Sequence, residues 1–318
     1  MAPPPLPPVP GVDVRHRDVA LPDGTRLHVA EAGEGEPLVL LHGWPQHWWM
    51  WRRVLPALAR GRRVVCPDLR GFGWSDAPPG AYAKEDLASD VLALLDALGI
   101  KRLDLAGHDW GGFVAFLVAL RAPARVRRLA VLSIIHPWFR PPRPAPKALK
   151  RLSYQYVLAT PVVGAQALRR SHAFVNTMLR RGSHPDTRWS GEEVAVYARP
   201  FTQPGHARAS SALYRTFLTR ELPTLAAGRY DGLRLSAPTL LLVGTADPVV
   251  LARRLMDIHA HADAARVEII PGAGHFPAEE RPEAVLRAFR AHFNITEPDD
   301  GFGTMAELEA PRRSESDS

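Results

Sequence analysis

The sequence predicts an α/β protein built on a mostly parallel, doubly wound sheet, interrupted once by a helical block. Three observations carry that expectation. Short apolar runs bounded by turn signals, such as Pro37-Leu38-Val39-Leu40-Leu41-His42 and Thr239-Leu240-Leu241-Leu242-Val243, suit strands covered on both faces. They alternate with amphipathic helical stretches, as in a parallel sheet wound with helices. From Pro137 to about Leu233 the alternation stops and only helical patterns remain.

Taken in order, residues 1–11 read as a proline-rich disordered tail. Residues 13–20 and 25–32 alternate about the turn signal Leu21-Pro22-Asp23-Gly24 and read as a β-hairpin. After the 37–42 strand, Gly43-Trp44-Pro45 ends the run, and Trp48, Trp51, Leu55 and Leu58 recur at helical spacing. Arg63-Val64-Val65-Cys66 is the next strand and Ala88 to Leu98 the next helix. A strand then leads to Gly107, a helix begins at Phe113, and Val126 to Ile135 is a further strand. Within the helical block, Ser190-Gly191-Glu192-Glu193 has the form of a capping box. Strands return at 239–243 and 267–270 with a helix from about Val250 to His259 between them, and a last helix runs from about Pro282 to Phe293. The expected organisation is a core over 12–136 and 234–295, a helical cap over 137–233, and an acidic disordered tail over 296–318.

Composition narrows the function. A chain of 318 residues, 46% hydrophobic, suits one large α/β domain with an insertion. The net charge of +7 comes mostly from arginines scattered among helices, so the clustered basic stripe of a nucleic-acid binder is missing. The densest basic run, Arg140 to Arg151, reads as a solvated linker. The single cysteine, Cys66, excludes an intramolecular disulfide framework. The first ten residues lack the basic and apolar regions of a signal peptide, and no run approaches a membrane span, so a cytoplasmic protein is expected. For the same reason Asn294-Ile295-Thr296 reads as a chance sequon.

The chemistry concentrates in Leu103-Asp104-Leu105-Ala106-Gly107-His108-Asp109-Trp110-Gly111-Gly112-Phe113, a strand, a sharp turn and a helix. Gly107 and Gly111 leave room for a strained turn that presents Asp109 at the strand's end. Read alone, Asp109 could simply cap the helix. As a nucleophile it has a defined use. Serine attacking a saturated carbon would leave an ether, whereas a carboxylate leaves an ester that water can open at its carbonyl. A base for that second step is expected among the thirteen histidines. His275 stands in the glycine-rich loop Pro271-Gly272-Ala273-Gly274-His275 after the last strand, and Asp247, in Gly244-Thr245-Ala246-Asp247-Pro248, follows the strand before it. Nucleophile, acid and histidine all fall at carboxyl ends of strands, where such sheets bind ligands. The N–H groups of Trp44 and Trp110 are placed to hold a developing oxyanion, each worth about 3 to 4 kcal/mol in the transition state.

These motifs resemble the epoxide hydrolases of the α/β-hydrolase superfamily. His42-Gly43-Trp44-Pro45 is similar to that family's His-Gly-x-Pro motif, Gly71-Phe72-Gly73-Trp74-Ser75 to its small-residue motif, and His108-Asp109-Trp110-Gly111-Gly112 to its nucleophile elbow. The similarity runs from about residue 15 to 293. It implies two cap tyrosines that hold and protonate the epoxide oxygen, with Tyr154-Gln155 and Tyr214-Arg215 in their places and Tyr156 and Tyr197 as competitors. A phenol, with a pKa of about 10, can give its proton to the departing alkoxide. Trp44, Trp110 and Trp138 are expected to wall the substrate.

The resemblance thus implies a small-molecule epoxide substrate opened to a vicinal diol through an Asp109 ester, with neither metal nor organic cofactor needed. Two other readings stand beside it. A haloalkane dehalogenase uses the same aspartate and histidine and also places a tryptophan after the nucleophile, although it often has asparagine or glutamate where this chain has Trp44. A non-catalytic protein could keep the fold and use its pocket for a small ligand.

Overall fold

The computed structural model describes residues 6–141, 146–169 and 172–296, with 146–152 described by their backbone. Eight strands form one sheet: β1 (Arg15–Ala20), β2 (Arg26–Ala32), β3 (Pro37–Leu41), β4 (Arg63–Pro67), β5 (Leu103–His108), β6 (Val126–Leu132), β7 (Thr239–Gly244) and β8 (Ala265–Ile270), in the order β1-β2-β4-β3-β5-β6-β7-β8. The β1–β2 and β2–β4 pairs are antiparallel and the other five parallel. β1 lies mostly exposed at one edge, whereas β5 and β7 are buried throughout, as their apolar runs require.

Helices α1 (Leu55–Ala59), α2 (Lys84–Ala97) and α3 (Asp109–Arg121) cover the sheet between its strands. The chain leaves β3 towards β4 on one side and returns to β5 on the other, so the order reverses at β3. Such a switch point opens a crevice at the strands' carboxyl ends, and both Trp44, after β3, and Asp109, after β5, sit at its mouth. Between β6 and β7 come α4 (Pro146–Ala159), α5 (Val163–Arg169), α6 (His172–Gly182), α7 (Gly191–Ala198), α8 (Pro204–Thr216) and α9 (Leu222–Ala226), with no strand among the described residues there. A π-helical turn, Phe217–Glu221, joins α8 to α9. α7 opens with the capping box read from sequence: Ser190 Oγ accepts from the Glu193 N–H and the Glu193 carboxylate from the Ser190 N–H. α10 (Pro277–Glu280) and α11 (Pro282–Phe293) close the fold.

Several local expectations change. Residues 6–11 are not a free tail: Val9 is buried and the Trp49 indole N–H donates to the Pro7 carbonyl. The helix expected over 250–259 is two 3-10 turns, Ala252–Arg254 and Met256–Ala260, because only Val250, Leu255 and Ile258 find deeply buried positions and no continuous apolar stripe anchors a longer helix. α2 starts at Lys84, before the expected Ala88, and the basic run from Arg140 enters α4 at Pro146 instead of remaining a linker. Residues 1–5 and the acidic segment from 297 onward lie outside the described residues. No helix among the described residues is long and apolar enough to cross a membrane.

Candidate active site

The turn between β5 and α3 is crowded on every side. A Cβ on Gly107 would meet the Gly111 carbonyl, one on Gly111 the His42 carbonyl, and one on Gly43 the side chain of Asp109. Only glycine lets these three segments approach. Asp109 takes a φ of +49°, a left-handed conformation that costs a non-glycine residue on the order of 1 to 3 kcal/mol and turns its side chain out of the strand's direction. The strain is held by the packing around it, since β5 and the first turns of α3 are wholly buried.

Asp109 Oδ1 accepts the Trp44 N–H at 2.9 Å, and Oδ2 lies 3.5 Å from His275 Nε2. His275 Nδ1 donates to the Asp247 carboxylate, 3.1 and 3.2 Å from its two oxygens. Asp247 Oδ1 also accepts the N–H groups of Val249 and Val250, at 2.7 and 2.9 Å, so its capping and orienting geometries coexist. All three residues are buried. Burial opposes charge on His275, but the negative charge of Asp247 and hydrogen bonds to Asp109 and Asp247 raise its pKa to about 10. Burial likewise opposes charge on Asp109, yet hydrogen bonding and charge from His275, then His108 and the Trp110 N–H, hold its carboxyl below the ordinary value. The resting pair is therefore imidazolium and carboxylate.

The loop after β3 is set by His42. Its Nε2 accepts the Leu69 N–H at 2.9 Å and its Nδ1 donates to the Gly43 carbonyl at 3.1 Å, while full burial keeps the ring's pKa down and the ring neutral. The peptide between Trp44 and Pro45 is cis. This loop turns the Trp44 N–H towards Asp109 and its indole towards the helical block, where Phe174 and Phe201 both come within 6.4 Å of its ring centre.

Tyr154 on α4 and Tyr214 on α8 come from opposite ends of that block and meet over Asp109. Their ring centres are 5.9 Å apart; Tyr154 stacks on Trp44 at 6.1 Å, and Tyr214 meets Trp44 and Trp110 edge-on at 5.4 and 5.9 Å. Burial raises the Tyr154 pKa to about 12, with Asp109 adding to the rise, and burial with the charge of Asp109 also puts Tyr214 well above the ordinary phenol. Both stay protonated at any pH the protein would meet. The indole N–H groups of Trp44 and Trp110 are buried with no acceptor among the described residues.

Trp138 is not part of this wall. Its indole N–H donates to the Tyr230 carbonyl at 2.7 Å and its ring stacks on His261 at 4.8 Å, whereas the rings packed around Trp44 and Trp110 among the described residues do not include it. The competing tyrosines also separate: Tyr156 is 53% exposed and Tyr197 is hydrogen-bonded to Glu279. Two contributors escaped the sequence reading. Lys84 is buried at the start of α2, its ammonium 4.2 Å from the Trp110 ring centre and 2.6 Å from Glu221; its signal was a lysine three residues before Leu87 on the apolar stripe of its helix. Glu280 accepts the N–H groups of Gly274 and Phe276 on either side of His275, at 3.0 and 2.9 Å, and nothing local in its sequence marks it.

The family model described as alpha/beta hydrolase fold matches residues 36–282. The soluble epoxide hydrolase of Corynebacterium sp. (strain C12) is 33% identical over 275 residues, spanning 84% of this chain and 93% of that protein. Epoxide hydrolase 3 of Xenopus tropicalis is 33% identical over 279 residues, or 84% of this chain and 74% of that one. A solved structure described as epoxide hydrolase CorEH without ligand aligns with a TM-score of 0.80 at 30% identity, covering 89% of this chain and 99% of that chain.

Proposed function

The chain belongs to the α/β-hydrolase family and, within it, to the epoxide hydrolases, and from that premise we propose that it opens an epoxide to a vicinal diol through an ester on Asp109. The observation that carries this reading is one carboxylate beside an imidazole, with two phenols packed on the flanking Trp44 and Trp110 within reach of the Asp109 charge.

In the first step Asp109 attacks an epoxide carbon while Tyr154 and Tyr214, on a helical cap over 137–233, hydrogen-bond the ring oxygen. As the C–O bond breaks, a phenol proton passes to the oxygen and a hydroxyalkyl ester remains. Such acid help is worth about 10² to 10⁴ in rate. In the second step His275, oriented by Asp247, takes a proton from water, which attacks the Asp109 carbonyl carbon. The backbone N–H groups of Trp44 and Trp110 hold the oxyanion; collapse expels the alkoxide, which takes the proton of the newly formed Asp109 carboxylic acid and leaves as the diol, restoring the carboxylate.

The raised pKa of His275 fits this order. An imidazolium cannot act as a base, but part of what keeps it protonated is the Asp109 carboxylate. Ester formation neutralises that carboxylate. The imidazolium can then give its proton to the phenolate left by ring opening, so the base is freed and the phenol restored by the step that creates the ester.

A second reading, dehalogenation of a haloalkane through the same ester, is favoured by the two indole N–H groups without acceptors, which could hold a departing halide. One experiment separates the readings. His275→Gln is incubated with a panel of epoxides and haloalkanes, and the intact protein is weighed. A gain of one whole epoxide on Asp109 is expected. A gain of an alkyl group without its halogen, with epoxides inert, supports dehalogenation. No adduct, with the wild type inactive on the panel, would favour a non-catalytic ligand-binding protein.

A further inference from the structure

The outer corner of the cap, between α4 and α5, has a composition found nowhere else on the described surface. Seven large apolar side chains are exposed among the described residues, and four of them, Tyr156, Val157, Val162 and Val163, fall within residues 156–163 at 53%, 42%, 72% and 55% exposure. Single exposed apolar residues need no explanation, but a contiguous group marks a contact surface. Val162, the most exposed, has a φ of +65°, a conformation that β-branched residues rarely adopt. Its side chain is thus held out to solvent by a strained backbone.

Beside this tip lies a surface groove of about 400 Å³, walled on one side by Pro161 and Val162 and elsewhere by Arg169, Arg208 and Arg215. None of these three guanidiniums has an acidic partner among the described residues, whereas arginines such as Arg52, Arg70 and Arg234 are ion-paired. Ser211 also lines the groove, and its hydroxyl is buried without a partner. An apolar tip next to a groove of unpaired cations and a free hydroxyl matches an acyl layer beneath an anionic headgroup. A second copy of this chain would bring the same unpaired arginines and a net charge of +7 against them.

We propose that the α4–α5 corner docks on anionic lipid bilayers, with Val162 and its neighbours among the acyl chains and a phosphate headgroup in the Arg169, Arg208 and Arg215 groove. The docking helices are also those that carry the phenols: Tyr154 and Tyr156 lie on α4, and Tyr214 and Arg215 on α8. If the proposed function holds, a lipophilic epoxide leaving the bilayer meets the cap directly; the docking itself does not depend on the reaction.

The test is flotation of the full chain with vesicles of phosphatidylcholine alone or with one-third phosphatidylglycerol, beside turnover of a water-soluble epoxide as a separate readout. The wild type should float only with the anionic vesicles. Arg208→Ala should weaken partition by about fivefold, and Val162→Asp should abolish flotation without lowering the melting temperature or soluble turnover. Arg208→Glu serves in place of Val162→Asp if the latter does not fold. Absence of wild-type flotation overturns the proposal. So does undiminished flotation of the variants, which would reflect net charge alone. Binding of free glycerol phosphate without flotation would make the groove a soluble-phosphate site. A concentration-dependent dimer abolished by Val162→Asp, without flotation, would assign the corner to self-association.

Discussion

Glu280 grips the backbone on both sides of His275: one carboxylate oxygen accepts the Phe276 N–H, and the other accepts the N–H groups of Gly274 and of His184 from the helical block. His275 itself donates its N–H to the Gly182 carbonyl at 2.7 Å, and its carbonyl accepts from His108 Nε2 at 2.7 Å. Substituting Glu280→Gln sets an amide NH₂ against backbone donors and should release the loop. A shift of about 1 Å in a catalytic group can cost about 10²-fold. The loss should fall on ester hydrolysis and spare ring opening, so the Asp109 adduct should accumulate during turnover in quenched-flow mass spectrometry. Equal slowing of both steps would show a general structural role.

Lys84 acts on the other half of the site. Its ammonium lies over Trp110, pairs with Glu221 in the π-helical turn, and reaches the carbonyl of Leu213 at 3.4 Å, the residue before Tyr214. Burial lowers its pKa while the charge of Glu221 opposes the fall. Removing one partner of a buried pair costs about 3 to 5 kcal/mol; Lys84→Met should sit near the lower figure, since the Glu221 side chain keeps 19% exposure. The Lys84→Met, Glu221→Leu pair should recover most of the lost melting temperature. If Lys84 also positions Tyr214, the recovered double variant still opens epoxides slowly, whereas full recovery of the ring-opening rate would limit Lys84 to stability.

Tyr154→Phe and Tyr214→Phe should each slow adduct formation, by up to about 10² to 10⁴ for loss of the acid, and leave hydrolysis of a preformed ester unchanged. Tyr156→Phe should do neither, being exposed on the opposite side of α4. Stopped-flow tryptophan fluorescence is a suitable probe, because Trp44 and Trp110 lie against the reacting groups. Normal adduct formation in both single variants would remove the tyrosines from the mechanism.

The pKa of His275, raised to about 10, ties stability to pH. An unfolded histidine titrates near 6.5. Between the two values the folded chain binds the extra proton, so this contribution is fully present below about pH 6.5 and is lost as pH rises towards 10. The melting temperature of the wild type should therefore fall towards that of His275→Gln between pH 7 and 10. A difference constant across that range would mean that the resting histidine is neutral.

Much of the sheet was legible because its strands are covered on both faces and must be continuously apolar, as in β3 and β7. The elbow was legible because close backbone approach admits only glycine at 43, 107 and 111. Trp138 misled because an apolar ring can serve any interface; only the carbonyl of Tyr230, far away in sequence, shows where it points. Glu280 was invisible as a contributor for a related reason, and Lys84 showed only as a lysine on an apolar stripe. Their partners lie across the fold, and a charged residue advertises burial only through contacts that sequence order hides. The 250–259 helix failed where local periodicity lacked enough neighbours to bury it.

The helical block leaves the sheet once, after β6, and returns once, at β7. It brings both phenols, while the sheet keeps the carboxylate, the imidazole and Asp247. The two halves of the proposed reaction are thus encoded in separable stretches of one gene. A transplanted block could exchange the pocket and its proton donors without disturbing the nucleophile, provided the seam travelled with it. That seam is extensive: it includes Glu221 to Lys84, His184 to Glu280, Glu193 to Arg52, Tyr197 to Glu279 and Gly182 to His275. Recombination that carried both sides of these junctions would be a route to new substrate ranges on an unchanged hydrolytic base.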